Sequence, residues 1–238
     1  MGGCTCNTNN MFINGINSIT SKMLKQTNYE TLQVMLTKNF TIYDKDLLLF
    51  KEIENEIINM SYINKNIYEG ILCSFLVTDL QNKINCYDLL VFFFPLAKHE
   101  DIALDFYNLV LHYDRDDTKK NIIYRRSIEK VLYSMLYSHT IMLLNLVECH
   151  KGNQNDYDHY EKLFTEENLT NYVNLILSTF DQKLKEKESI SIINDKIYFF
   201  SLENIKDCFI DYGQIISDEK YLIYDLERLL ESIISNNN

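Results

Sequence analysis

Oxygen-bearing side chains alternate along one short polar stretch of the chain, Asp114-Arg115-Asp116-Asp117-Thr118. Carboxylate and hydroxyl oxygens at alternating positions are the donor set of a calcium-binding loop. Asp114, Asp116 and Thr118 are therefore the candidate metal ligands, with Asp117 as an additional carboxylate. Calcium at this one site is the only cofactor that the sequence gives reason to consider, and we otherwise expect none.

The first six residues, Met-Gly-Gly-Cys-Thr-Cys, carry two lipidation signals. Removal of Met1 exposes Gly2, an acceptor for N-myristoylation, and Cys4 and Cys6 are candidate palmitoylation sites beside it. The usual myristoylation motif has Ser or Thr at position 6, whereas this chain has Cys there. One myristoyl chain binds a membrane only marginally, so a second acyl chain is needed for stable anchoring. We predict dual acylation; the alternatives are an unmodified terminus and a metal-binding Cys-x-Cys.

Catalytic motifs are missing from the sequence. The five histidines share no H-E-x-x-H pattern, and neither G-x-S-x-G nor a phosphate-binding glycine loop is present. Cys149 and His150 are adjacent, but adjacent positions on a helix do not face each other. The six cysteines form no C-x-x-C pair, which argues against a zinc or thioredoxin-like site. We predict that the protein is not an enzyme.

A helix on each side must position the polar stretch. Before it, the apolar residues at helical spacing are Leu104, Tyr107, Val110 and Leu111; after it, they are Ile128, Val131, Leu132 and Met135. Ile123 lies between them, where a short strand is expected. The order of helix, loop, strand and helix resembles an EF-hand, in particular the third hand of calcineurin B-like and neuronal-calcium-sensor-like proteins.

The loop departs from the EF-hand pattern at two ligand-determining positions. A complete loop has Gly for its sharp turn and a bidentate Glu that closes the cage. Lys119 or Lys120 stands in the place of the Gly, and Ser127 in the place of the Glu. The resemblance therefore implies retained helices around an eroded metal site.

Two earlier segments carry the same resemblance. The first hand is predicted from a helix whose apolar face is Leu47, Phe50, Ile53 and Ile57, followed by Ile63 at the strand position. In the second, Ile84 takes the strand position and Asp88 stands where the closing Glu would be, one methylene shorter. Pro95 is expected to end the helix that follows.

The fourth hand is predicted in the last third of the chain. Its first helix has the apolar face Tyr172, Val173, Ile176, Leu177 and Phe180, with Asp181 directly after it. The segment I-Y-F-F-S-L-E-N-I from Ile197 echoes I-Y-R-R-S-I-E-K-V from Ile123. We predict that Ile123 and Ile197 pair in a small sheet; a chance match of short apolar motifs is the alternative. His150 to Asp158 is predicted to be a loop.

The resemblance implies an all-α fold: an EF-hand-like, two-lobe helical protein with short loop-pairing strands. We divide the chain into an acylated anchor and spacer (1–30), a first lobe (31–97), a second lobe (98–215) and a C-terminal amphipathic helix and tail (216–238). The longest charge-free run, Val131 to Val147, contains several polar residues and is predicted to be a buried helix and connector rather than a membrane span. The start of the chain lacks the apolar segment of a secretory signal, so we expect none.

The charge and the resemblance together limit the partners. A net charge of −11 opposes binding to phosphate backbones, so no nucleic-acid partner is expected. The resemblance implies a regulatory or adaptor protein that holds a helix of a partner protein in an apolar groove. With its acyl chains, it would lie on the cytoplasmic face of the plasma membrane or a related cortical membrane. The alternatives are a membrane-attached structural scaffold and a genuine calcium sensor that uses the third loop.

Overall fold

The computed structural model describes residues 28–38, 47–49, 83–113, 122–149, 154–185, 192–193, 196–197 and 199–217. Most of these residues are helical, which confirms the all-α prediction at that level. Among the described residues, no helix has the length and apolar character needed to cross a membrane.

The elements alternate between helices and very short strands. The α-helices are α1 (Tyr29–Lys38), α2 (Cys86–Phe93), α3 (Ile102–Tyr113), α4 (Arg125–Cys149), α5 (Gln154–Leu163), α6 (Glu166–Lys185) and α7 (Leu202–Ser217). The strands are β1 (Leu47–Leu49), β2 (Lys83–Asn85), β3 (Ile123–Tyr124), β4 (Ile192–Ile193), β5 (Lys196–Ile197) and β6 (Phe199–Phe200). They form three antiparallel pairs, β1 with β2, β3 with β6 and β4 with β5.

Helix α1 begins inside the segment that was predicted to be a spacer. The side-chain oxygen of Asn28 accepts a hydrogen bond from the Glu30 amide at 2.8 Å, which satisfies one free donor of the first turn. The apolar face of the helix, beginning at Tyr29, is buried against α2. The Tyr29 amide also donates to the Lys98 carbonyl at 3.0 Å, so the start of α1 is fixed to the segment before α3.

Helix α2 is the most completely buried element. Six of its residues are buried, namely Cys86, Leu89, Leu90, Val91, Phe92 and Phe93. A helix that is apolar on all sides must be covered on all sides, and α2 packs against α1, α3 and α4. It ends at Phe93, and Pro95 follows in a 3₁₀ turn (Phe94–Leu96), so the predicted helix end is confirmed.

Strand β2, which precedes α2, pairs with β1. Leu48 lies opposite Ile84, and the segment Leu47–Leu49 is a strand rather than the start of a helix. Ile63, the residue predicted for this strand position, lies outside the described residues. A short apolar run such as Leu47–Leu49 does not by itself distinguish a strand from a helix.

Strands β3 and β6 join two helix–strand–helix units, α3–β3–α4 and α6–β6–α7. The loop pairing predicted for Ile123 is present, but its partner is Phe200, not Ile197. Ile197 pairs instead with Ile192 in the β4–β5 hairpin. The sequence echo failed because it aligned serines with different roles. Ser201 precedes α7 and its hydroxyl accepts from the Asn204 amide at 3.2 Å, whereas Ser127 is buried inside the first turn of α4.

Four helices differ in how closely they follow the pattern that was predicted for them. The predicted apolar face of α4 is buried, as is that of α6. In α3, Tyr107 and Val110 are buried as predicted, whereas Leu104 is exposed and Phe106, which was not predicted, is fully buried. The loop predicted from His150 to Asp158 is helical from Gln154 onward, because α5 anchors itself through buried Tyr160 and Leu163 despite its polar first half.

The core crosses the predicted boundary between the lobes. Among the described residues, the buried apolar side chains form one cluster that reaches from Tyr29 to Phe209. Helix α2, which was assigned to the first lobe, packs directly on α3 and α4 of the second. The helices on either side of residue 97 are therefore positioned by a shared core.

Candidate functional site

The residues predicted for lipidation and metal binding, Gly2, Cys4, Cys6, Asp114, Asp116 and Thr118, lie outside the described residues. The flanks of the predicted third loop are described: α3 ends at Tyr113, and β3 begins at Ile123. Within the described part of the chain, no group of three or more His, Cys, Asp or Glu side chains could hold a metal ion.

Asp88, which was predicted to stand in the place of the closing Glu of a second hand, takes part in helix packing. Its carboxylate accepts a hydrogen bond from the Tyr113 hydroxyl at 3.2 Å, which links the first turn of α2 to the end of α3. Burial raises the pKa of Asp88, while the hydrogen bond from Tyr113 lowers it. The same pairing and burial raise the pKa of Tyr113 to about 12, with burial as the larger cause. Ser127, which was predicted to stand in the place of the closing Glu of the third loop, is buried.

Asp181 was expected to follow the helix of the fourth hand, but it lies inside α6. One guanidinium nitrogen of Arg125, Nη1, donates to both of its carboxylate oxygens, at 2.5 Å to Oδ1 and 2.6 Å to Oδ2. The two side chains are only 13% and 9% exposed. Charge-assisted hydrogen bonds of this kind are short and strong. They join the first residue of α4 to the last turns of α6.

A groove of about 490 Å³ opens between α4 and α6, with the end of α3 at its edge. Its lining residues are Tyr113 of α3, Arg126, Glu129, Lys130, Tyr133, Ser134 and Tyr137 of α4, and Thr170 and Val173 of α6. The groove is therefore lined by aromatic rings and by both acidic and basic side chains.

The tyrosines of α4 form a ridge along this groove. The rings of Tyr133 and Tyr137 lie one helical turn apart, with centroids separated by 6.1 Å and planes inclined by 13°. Burial is the main cause that raises the pKa of Tyr133, and the nearby Glu166 carboxylate adds to it. With Tyr113, whose pKa is also raised, this ring stays neutral at physiological pH. The ridge can make apolar contacts and donate hydrogen bonds, as interface tyrosines do.

His99 and His139 have structural roles. His99 bonds the Phe94 carbonyl through Nε2 at 2.7 Å and the Asp105 carboxylate through Nδ1 at 2.8 Å. His139 is buried, bonds the Phe92 carbonyl through Nε2 at 2.9 Å, and stacks on the Phe92 ring. These contacts position the residues around α2 and the 3₁₀ turn.

Cys86 and Cys208 are buried cysteines. Burial, together with the neighbouring Asp88 charge, raises the pKa of the Cys86 thiol. A thiol that stays protonated is a poor nucleophile. Neither the histidines nor these cysteines point to a reaction.

No protein-family model matches the chain, and comparisons with curated proteins and with solved structures find no significant match. The groove is therefore interpreted from its own geometry. Sequence reasoning did not single it out, because tyrosines beside a buried helical face are usually core. The four-residue spacing of Tyr133 and Tyr137 was the available signal.

Proposed function

We propose that the chain is a membrane-anchored, EF-hand-like regulatory or adaptor protein that binds a helix of a partner protein. The partner helix would lie in the groove between α4 and α6, and calcium would contribute little or nothing to binding. Acyl chains on Gly2, Cys4 and Cys6 would hold the protein at the cytoplasmic face of a membrane.

The arrangement of α3–β3–α4 and α6–β6–α7 supports the EF-hand-like part of this proposal. Each unit has a helix, an intervening segment, a two-residue strand and a second helix, and the two strands pair antiparallel. Paired hands use the space between their helices to accept an amphipathic helix. The groove lies between the second helix of one unit and the first helix of the other.

The exposed aromatic ridge is the observation that carries the proposal. Tyr137 remains 44% exposed although it is stacked on Tyr133. Tyrosine is enriched at protein interfaces because it has a large, stiff apolar surface and a polar tip. A helix with apolar residues at i, i+3 and i+4 would place them along such a ridge.

Site-specific crosslinking tests the proposal. A photoreactive p-benzoylphenylalanine is placed at position 137 in the groove or, as a matched control, at position 175 on α6. The exposed fraction of Leu175, 47%, is similar to the 44% of Tyr137, but Leu175 does not line the groove. The full-length, acylated chain is then crosslinked on membranes, and the crosslinked peptides are sequenced.

We expect position 137 alone to crosslink, to one protein and to a segment with helical apolar spacing. Replacing Tyr133 with Lys in the same chain should remove that crosslink, because it takes away half of the ridge. Equal crosslinking from both positions, or attachment only to segments without helical spacing, would contradict the proposal.

A further inference from the structure

The ion pair between Arg125 and Asp181 connects the two walls of the groove. Arg125 is the first residue of α4 and follows β3 directly, and Asp181 lies near the end of α6, 56 positions further along the chain. The next residue of α4, Arg126, lines the groove, as does Val173 two turns before Asp181. The position of this pair therefore fixes one end of the groove.

Burial distinguishes this pair from an ordinary surface contact. The side chains are 13% and 9% exposed, whereas those of the ion pair between Lys206 and Asp101 are 49% and 44% exposed. Exposed pairs contribute little to stability because water and ions screen them. When one partner of a buried pair is removed, the other charge is left without compensation, and the structure around it loosens.

The strand contact between the two units is small. Strands β3 and β6 share only the two residue pairs Ile123–Phe200 and Tyr124–Phe199. Arg125 follows Tyr124 without an intervening residue, so its guanidinium extends this contact from the strands onto α6. The strand pairing and the ion pair thus connect the two helix–strand–helix units at adjacent positions.

In a metal-regulated pair of hands, a dissociable cation bound by carboxylates sets the angle between helices and opens the groove. Here the carboxylate of Asp181 already has a cation, and that cation is part of the chain. We infer that Arg125 acts as a built-in cation that fixes α4 against α6, so that the groove keeps one shape and partner binding is constitutive rather than gated by metal. This inference concerns the regulation of the groove and rests on the proposed function.

Hydrogen exchange measured by mass spectrometry tests the inference without a partner. The full chain is compared with Arg125→Met, with the double variant Arg125→Met and Asp181→Leu, and with Lys206→Met as the control for loss of an exposed pair. We expect Arg125→Met to raise exchange at the start of α4 and the end of α6 by about a hundredfold, because the buried Asp181 carboxylate loses its guanidinium partner. Lys206→Met should leave both regions unchanged.

The double variant separates the loss of the ion pair from the effect of a lone buried charge. Because it removes the cation and the carboxylate together, we expect it to exchange faster than the unmodified chain at both helix ends, but more slowly than Arg125→Met, which keeps the buried carboxylate. The comparison with the unmodified chain holds even if Arg125→Met alone fails to fold. Arg125→Met exchanging like Lys206→Met would overturn the inference. So would a double variant that exchanges like the unmodified chain, since the pair would then not be needed to fix α4 against α6.

Metal ions provide the second arm. Exchange of the unmodified chain is measured in EDTA, in millimolar Mg²⁺ and in millimolar Ca²⁺. We expect the same protection of α4 and α6 in all three, and a change of more than about twofold in Ca²⁺ would overturn the inference, because metal binding would then reach the groove.

The two proposals can fail separately. If the exchange results are as expected and position 137 captures no helix, the built-in cation stands and the proposed function fails. If position 137 captures a helix but Ca²⁺ alters the exchange of α4 and α6, the proposed function stands and constitutive binding fails.

Discussion

Replacing Tyr29 with Phe should stabilise the protein. The Tyr29 ring is fully buried, with its centroid 5.2 Å from that of Phe94 and 5.1 Å from that of His99. Its hydroxyl oxygen is buried without a hydrogen-bond partner among the described residues. A buried hydroxyl without a partner costs about 1–3 kcal/mol, and Phe keeps the ring contacts while removing that group. We expect a gain of about 1–2 kcal/mol in the free energy of unfolding, or roughly 2–4 °C in Tm for each kcal/mol.

Tyr113→Phe is the matched control, because it removes the same atom from a tyrosine whose hydroxyl donates to Asp88 at 3.2 Å. Loss of a hydrogen bond to a charged group costs about 1.5–3 kcal/mol, so this variant should be less stable than the unmodified chain. Urea unfolding followed by circular dichroism measures both changes, provided that the m values agree. The prediction therefore requires opposite signs from two chemically identical substitutions.

Stability measured at alkaline pH gives an independent test of the prediction for Tyr29. Burial is the main cause that raises the pKa of Tyr29 well above the ordinary value, with a smaller contribution from the charge of Asp105. The unfolded chain releases this proton near pH 10 while the folded chain retains it, so stability falls as pH rises above about 10. Tyr29→Phe should make this decline shallower. If Tyr29→Phe proves less stable than the unmodified chain, and the alkaline decline is unchanged, the hydroxyl has a partner and the reasoning is wrong.

Three further predictions concern anchoring, metal and acid stability. Gly2→Ala should release the protein from the membrane fraction, and replacing Cys4 and Cys6 with Ser should leave weak, exchangeable binding; unchanged fractionation of Gly2→Ala would contradict this. Calorimetric titration of the unlipidated protein should show no calcium binding at about micromolar concentrations; if an isotherm is seen, Asp114→Ala should abolish it. Because burial raises the pKa of Asp88, the folded state binds that proton more tightly, and stability should rise as pH falls through the folded pKa. Asp88→Asn should accordingly be the more stable form at pH 7 in urea unfolding, and lose that advantage in acid.

The long helices could be predicted from the sequence because their apolar periodicity is strong. Ile128, Val131, Leu132 and Met135 are all buried in α4, as their spacing predicted. Such a pattern extends over several helical turns, and each turn places an apolar residue on the same face.

The short strands could not be placed in the same way. A strand of two or three residues is too short to show a hydrophobic period. Its pairing partner depends on where the adjacent helices begin. Thus Phe200 rather than Ile197 pairs with Ile123, and Leu48 pairs with Ile84. These registers depend on contacts between residues far apart in the chain, which a local pattern does not contain.

The candidate site was the least predictable feature. The residues predicted for lipidation (Gly2, Cys4 and Cys6) and for metal binding (Asp114, Asp116 and Thr118) lie outside the described residues. The groove became visible only when α4 and α6 were placed side by side, and Arg125 gained its role only because Asp181 lies in the helix that α4 packs on. Neither relation has a signature in a single stretch of sequence.

The burial of α2 on all sides also has a consequence for synthesis on the ribosome. The helix and the following Phe94–Leu96 turn leave the ribosome more than 100 residues before α7, which packs on that turn. At roughly 5–20 residues per second, the nascent chain carries this apolar segment without its last cover for about 5–20 s. Exposed apolar helices of this kind are binding sites for chaperones and starting points for aggregation. The same helix that organises the finished core therefore makes the growing chain dependent on protection until its C-terminal third has been made.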